Sequence, residues 1–236
     1  MSALRLSLVI PCYNGATYLA EAVSSVLEQD RAPEEVIVID DGSTDDSGSI
    51  AAGFGSRIAW VRQEQRGTSA ARNHGIALST GDLIAFLDAD DLWPAGSLSV
   101  RRELLEARPD LDCVSGLTRQ FISPELPDEI RRTLVCPEDV SRARVAGATV
   151  VRRSVFDRIG RFDPSFRIGE TLDWIARADA AGVTNEVVEH VVLLRRVHTT
   201  NTTSRLKADR AEYLRVLKAS LDRRRATAPA DAPGKD

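Results

Sequence analysis

Three short apolar runs, residues 6–10, 36–39 and 83–87, each lead directly into a polar loop. The loops read Pro11-Cys12-Tyr13-Asn14, Asp40-Asp41-Gly42-Ser43-Thr44-Asp45 and Asp88-Ala89-Asp90-Asp91. Each run has the length of a strand rather than a helix. Between the first two, Leu19, Ala22, Val23, Val26 and Leu27 recur at helical spacing, with Asn14 and Thr17 available upstream as caps. Strand, helix, strand is a βαβ crossover, which makes the two strands parallel. The pattern continues with a helix over 47–54, a strand over 58–61 and a helix over 69–78 before the run at 83–87. The expected fold is therefore α/β, a mostly parallel central sheet flanked by helices. In such sheets a ligand lies beyond the carboxyl ends of the strands, so the three polar loops face one crevice.

Further along, the sequence predicts a helix from Pro94 to about Ala107 and a strand over 112–116. An irregular stretch interrupted by Pro124, Pro127 and Pro137 then runs to about Arg142. A strand over 147–151, a helical turn or two over 153–159, a helix over 171–181 and a strand over 187–194 follow. Charge is unevenly distributed: residues 205–225 carry eight basic and three acidic side chains, although the whole chain has a net charge of −4. Leu206, Tyr213, Leu214, Leu217 and Leu221 give that segment one apolar face, so a basic amphipathic helix is expected there. Such a helix could pack on its own domain or make a peripheral membrane or protein contact. Residues 226–236, rich in Ala, Pro and Asp, are expected to be disordered.

The acidic balance offers no general attraction to nucleic acid. Cys12, Cys113 and Cys136 form neither a short-spaced metal pair nor an even disulfide set, which fits small buried thiols in a reducing compartment. With no secretory leader and no apolar run of membrane-spanning length, the expected location is cytoplasmic, possible contact at the inner membrane face being through the basic helix.

Asp88, Asp90 and Asp91 bring three carboxylates to one strand end within four residues, where they repel each other unless a cation intervenes. A hard divalent ion such as Mn²⁺ or Mg²⁺ suits that arrangement, taking one or two carboxylates and filling its shell with phosphate oxygens of a substrate. On spacing alone the same residues could form a solvated turn capping the next helix. The loop from Asp40 to Asp45 offers acceptors to a base or ribose, or caps for the helix after it. In Gly67-Thr68-Ser69-Ala70-Ala71-Arg72-Asn73-His74-Gly75, Arg72 could meet a phosphate through two donors.

Taken together, Val9-Ile10-Pro11-Cys12-Tyr13-Asn14, Val38-Ile39-Asp40-Asp41-Gly42-Ser43-Thr44-Asp45, the segment 67–75 and Phe86-Leu87-Asp88-Ala89-Asp90-Asp91 resemble glycosyltransferase family 2 in order and spacing, over about residues 5–200. The resemblance implies a GT-A type nucleotide-sugar-binding fold over 1–204, with a nucleotide-binding half over about 1–92 and an acceptor-side half over about 93–204. It implies a metal-dependent inverting enzyme moving a sugar from a nucleoside diphosphate donor, UDP by default, to a hydroxyl acceptor. Pro11, Tyr13, Asn14 and Asp41 would hold the nucleoside. Asp88 and Asp90, flanking Ala89, would form the DxD pair that brings the metal to the diphosphate.

Inversion by direct displacement needs a general base on the acceptor side. The family draws it from a Glu-Asp pair after a glycine, and the matching segment is Gly169-Glu170-Thr171-Leu172-Asp173-Trp174, with Thr171 where the second acid normally stands. Asp173 is the first choice and Glu170 the second. Both also suit a helix N-terminus electrostatically. The segment Arg195-Arg196-Val197-His198 matches a basic stretch that closes over the diphosphate, with Arg196 as a donor contact and His198 completing the metal shell. Trp93 and Trp174 are expected in the core rather than stacked on a sugar.

Other enzyme classes fit less well. A phosphotransferase using an aspartyl nucleophile needs a downstream lysine, and Lys207, Lys218 and Lys235 all lie in the terminal helix and tail. Neither a Gly-x-x-x-x-Gly-Lys loop nor a Gly-x-Gly-x-x-Gly after the first strand is present. The alternative from outside catalysis is a nucleotide-sugar-binding protein of the same fold whose transfer step is impaired, with Thr171 as its support. The stretch that would face the acceptor carries no motif that identifies it.

Overall fold

The computed structural model describes residues 4–199 and 201, with positions 214, 215, 218, 219 and 222. The first half of the chain runs β1 (Leu6–Cys12), α1 (Leu19–Leu27), β2 (Glu35–Asp40), α2 (Ser47–Ala52), β3 (Ala59–Arg62), α3 (Thr68–Leu78) and β4 (Leu83–Phe86). The second half runs α4 (Ser97–Ala107), β5 (Cys113–Ile122), α5 (Asp128–Arg131), β6 (Thr149–Arg152), α6 (Arg153–Ile159), α7 (Glu170–Ala180) and β7 (Asn185–Val197). The strands form one sheet in the order β3-β2-β1-β4-β6-β5-β7. All neighbouring pairs are parallel except the two that β6 makes, with β4 and with β5. The carboxyl ends of β1, β2, β4, β5 and β7 therefore share one edge, as the alternating pattern predicts.

Every residue of β1 is buried, which is why it reads as an unbroken apolar run. Its pleat sends Leu6, Leu8 and Ile10 into one core with α1 and α4, and Val9 into a second core with Ala71, Ile76, Phe156 and Trp174 on the opposite face. The same division recurs in β2, where Val36 and Val38 oppose Ile37 and Ile39, and in β4, where Leu83 and Ala85 oppose Ile84 and Phe86. On the second face α3 lies so close to β1 that a Cβ on Gly75 would meet Val9 Cγ1 at 2.2 Å. The absent side chain lets the helix settle onto the strand, which sets how deeply Arg72 is held one turn earlier.

Four features depart from the sequence reading. Pro11 belongs to β1 rather than to the loop after it, buried and in register with Ile39. β5 runs on to Ile122 and β7 to Val197, beyond their apolar cores. β6 pairs with β5 only as far as Ser115, and past that point β5 and β7 form a two-stranded extension held by main-chain pairing, to which side-chain periodicity is a poor guide. This extension takes up the start of the stretch read as irregular. The remainder of that stretch holds α5 and a bridge from Ser141 to Thr118.

The basic helix expected over 205–225 and the tail over 226–236 lie outside the described residues, apart from the five positions named above. Among the described residues no helix is long and apolar enough to cross a membrane. Cys12 and Cys113 are buried, and desolvation pushes their thiols up to about 11 and about 12, while Cys136 is half-buried.

Candidate active site

The loops after β1 and β2 are tied to each other. Asn14, in the left-handed region at φ 51°, donates its amide to Ser43 Oγ at 2.9 Å and accepts the Thr44 amide on Oδ1 at 2.8 Å. Asp45 accepts the Ala16 amide at 2.9 Å and the Ser47 hydroxyl at 2.5 Å. Burial opposes its charge, but these bonds outweigh it and keep the carboxyl below its usual range. Tyr13 and Asn14 are exposed at the crevice edge, unlike Pro11. Asp41 is buried and already engaged: Oδ1 accepts Gln63 Nε2 at 2.7 Å and the Arg66 amide at 2.8 Å, and Oδ2 accepts the Gly67 amide at 2.7 Å. The carboxylate thus holds the turn into α3, where Gly67 takes φ 89°. Gln63 in turn bonds His74 Nδ1 at 2.8 Å. Sequence reading singled out neither Gln63 nor this chain, because its members come from three separate segments.

At the end of β4 the carboxylates separate. Arg72, 4% exposed, donates Nη2 to Asp88 Oδ1 and Nη1 to Glu170 Oε1, both at 2.6 Å. Its guanidinium lies 6.0 Å from the Phe86 ring centroid and 5.6 Å from that of Phe162. Burial disfavours its charge, but the two carboxylates more than compensate and hold its pKa above the ordinary arginine value. Arg72 is therefore a bridge between two acids of this chain rather than an open phosphate clamp. Asp90 turns the other way, toward His198, whose Nε2 lies 2.9 Å from its Oδ2. The His198 ring packs on Tyr18 at 4.8 Å. Ala89, between the two aspartates, is half-buried against the first core. Burial, then the charges of Asp90 and Asp88, push the Asp91 carboxyl well above its ordinary value.

Arg196 does not project into the crevice as the resemblance implies. At 1% exposure it donates Nε to the Asp90 carbonyl at 2.9 Å, Nη1 to Ser123 Oγ at 3.1 Å and Nη2 to Glu21 Oε2 at 2.5 Å. The Tyr18 and Phe121 rings lie 4.5 and 4.8 Å from its guanidinium carbon. Asp91 accepts its amide at 2.9 Å. The side chain fixes the position of the Asp90 loop from behind.

The two candidate bases fare differently. Asp173 is 1% exposed and accepts Arg177 Nε at 2.9 Å, while Arg177 reaches the carbonyls of Ile159 and Arg161. That carboxylate ties α7, through Arg177, to the segment after α6. Glu170, at the first turn of α7, stands at the crevice beside Arg72. Thr171 donates to Glu170 Oε1 at 3.3 Å and receives Arg72 Nη1 at 3.4 Å. Trp93 and Trp174 are buried, with their indole N–H groups on the carbonyls of Gly147 and Gly160, as expected for core residues.

Among the described residues no three His, Cys, Asp or Glu side chains are gathered into a set that would hold a metal unaided. Asp90 and His198 nevertheless supply an oxygen and a nitrogen within 2.9 Å of each other at the open end of β4. This donor set fits a hard divalent ion that takes its remaining ligands from a bound diphosphate.

The sequence matches the family model described as Glycosyl transferase family 2 over residues 7–160. It is 34% identical over 205 residues to the succinoglycan biosynthesis protein ExoU of Rhizobium meliloti, covering 77% of this chain and 58% of that one. With an uncharacterised glycosyltransferase of Rickettsia typhi it shares 29% identity, covering 88% of this chain and 69% of the relative. Among solved structures, S. aureus TarS 1-349 in complex with UDP-GlcNAc superposes with a TM-score of 0.73 at 17% identity, covering 92% of this chain and 65% of that one. The mannosyltransferase PcManGT from Pyrobaculum calidifontis, in complex with GDP-Man and Mn²⁺, gives 0.70 at 20% identity, covering 98% and 66%. These likenesses identify the fold as the GT-A type expected.

Proposed function

The chain belongs to glycosyl transferase family 2, and from its site geometry we propose that it moves a sugar from a nucleoside diphosphate sugar to a hydroxyl acceptor with inversion at the anomeric carbon. The observation that carries this reading is the Arg72 bridge, which puts the donor-side carboxylate of Asp88 and the acceptor-side carboxylate of Glu170 each 2.6 Å from one buried guanidinium. The complexes of TarS with UDP-GlcNAc and of PcManGT with GDP-Man and Mn²⁺ support a nucleotide-sugar donor and a divalent cation. UDP is the proposed nucleotide.

Asp90 and His198 would hold the cation, which when bound offsets the negative charge that develops on the departing diphosphate. Glu170 is the proposed general base. Its carboxylate takes the proton of the acceptor hydroxyl as that oxygen bonds to the anomeric carbon. The bond from that carbon to the diphosphate breaks, and its electron pair leaves with the nucleoside diphosphate. The new proton on Glu170 passes to solvent. Arg196 and Tyr18 keep the Asp90 loop and His198 in place behind this exchange.

A second reading has an observation in its favour: Thr171 occupies the position where the family carries an acid, and Asp173 is paired with Arg177. On that reading the chain binds donor and transfers nothing. Thermal unfolding with UDP-GlcNAc, UDP-glucose and GDP-mannose, each with Mn²⁺ and with EDTA, joined to an assay for released nucleoside diphosphate, tests both. Donor at 100 times its Kd should stabilise the fold by about 2.7 kcal/mol, a Tm rise of about 5–11 °C. A metal-dependent rise accompanied by release supports the enzyme, and a rise without release supports the binding protein. The absence of both defeats the donor reading altogether.

A further inference from the structure

The acid missing at position 171 leaves open how this chain orients its base, and the hydrogen bonds around Glu170 supply an answer. We propose that Arg72 and Thr171 are positioning residues that grip Glu170 by Oε1 alone, leaving Oε2 to receive the acceptor's proton. This rests on the reading of Glu170 as general base.

Three contacts define the grip. Arg72 Nη1 donates to Glu170 Oε1 at 2.6 Å and to Thr171 Oγ1 at 3.4 Å, and the Thr171 hydroxyl in turn donates a hydrogen bond to Oε1 at 3.3 Å. Among the described residues nothing donates to Oε2, and the Glu170 side chain keeps 16% of its exposure. Two donors on one oxygen fix the plane of the carboxylate, and the unshared oxygen is then the one that can accept a new proton. Thr171 suits this place because a hydroxyl both receives and donates, whereas a second carboxylate could only accept.

The grip is anchored on the second core and on Asp88. The Arg72 guanidinium lies against the Phe86 and Phe162 rings, which pack edge-on against each other, and its Nη2 is fixed on Asp88. Its Nε is buried without a partner, so the guanidinium is placed by the two acids and the rings rather than by a full set of its own bonds. One rigid group thereby sets the position of the base relative to the donor-side carboxylate. Displacements of about 1 Å in such a constellation cost about 10²-fold in rate.

The test uses Thr171→Val, Thr171→Ser, Thr171→Asp and Arg72→Lys in the full chain. The probe is whichever of UDP-GlcNAc, UDP-glucose and GDP-mannose stabilises the wild type with Mn²⁺. Donor Kd and nucleoside diphosphate release at saturating donor, with water as acceptor, are measured separately. Thr171→Val is expected to slow release roughly three- to tenfold, and Arg72→Lys roughly 10–100-fold, with donor Kd changed by less than about threefold. Thr171→Ser should recover most of what Thr171→Val loses, because it restores the hydroxyl. Since both side chains act on one oxygen, the double variant should cost less than the product of the single effects.

Release in Thr171→Asp tenfold or more above wild type would overturn the proposal, since position 171 would then be a vacated base. Arg72→Lys weakening donor binding tenfold or more at an unchanged saturated rate would overturn it as well, by making Arg72 a donor contact. A wild-type chain that binds no donor would defeat the functional reading itself and this proposal with it. The binding measurement separates that failure from the other two.

Discussion

In the first half of the chain, polar loops are knitted by contacts between segments about 30 residues apart: Asn14 with Ser43 and Thr44, Ala16 with Asp45, Arg66 with Asp41. Contacts from the second half of the chain to the first span far longer separations. Arg72 reaches Glu170 over 98 residues, Arg196 reaches Asp90 over 106, and His198 reaches Asp90 over 108. A loop that organises itself can be read from its own residues. A site assembled from distant parts leaves each part looking like an ordinary charged residue until the fold brings them together.

The largest expected effect sets the two acids of α7 against each other. Glu170→Gln should lower nucleoside diphosphate release by about 10²–10⁴-fold with donor binding retained, the range lost with a general base. Asp173→Asn should spare most of the rate and instead destabilise the fold by about 1–3 kcal/mol, since it removes the charged acceptor of Arg177. Steady-state kinetics and calorimetry on the pair decide the matter. The reverse pattern, with Asp173→Asn inactive and Glu170→Gln active, would return the base to Asp173 and break the contrast drawn between them.

Next in size is Arg196, where the resemblance and the structure part company. If it is the strut its contacts describe, Arg196→Met should cost about 2–3 kcal/mol through the lost bonds to Ser123, Glu21 and the Asp90 carbonyl, a Tm lower by about 4–12 °C. Differential scanning calorimetry reads this directly. A Tm within about 2 °C of wild type together with loss of donor binding would make Arg196 a ligand contact and erase the difference between it and His198.

What was legible in the sequence follows the same line. The strand order's parallel core, the shared edge and the three acidic or polar loops all come from residues 6–91, where apolar runs of strand length are punctuated by Pro, Asp and Gly. The extension of β5 beyond Ser115 was not legible, because there main-chain pairing with β7 replaces burial as the reason for a strand. The sequence puts Asp173 before Glu170, but both lie in the first turn of one helix and it is the tertiary positions of Arg72 and Arg177 that separate them. Tyr18 gave no signal at all, its part being played through rings contributed by α1's flank and the end of β7.

Asp41 is the first half's counterpart of Arg196, a residue expected at the ligand and found bonded to its own chain. Its carboxylate accepts three N–H groups at 2.7–2.8 Å, two of them amides at the start of α3, where negative charge also meets the positive end of the helix. Asn at this position would turn an amide N–H toward groups that are themselves donors. Asp41→Asn should therefore cost about 1–2 kcal/mol, lowering Tm by about 2–8 °C, and loosen the helix that carries Arg72. Donor binding, measured by calorimetric titration in Mn²⁺, should weaken by less than about tenfold, because the groups lost support the site from beneath. A large loss of donor affinity at an unchanged Tm would put Asp41 in contact with the nucleoside. The two halves of the chain would then differ in this respect, with the first presenting its buried acid to ligand and the second using its buried arginine only as support.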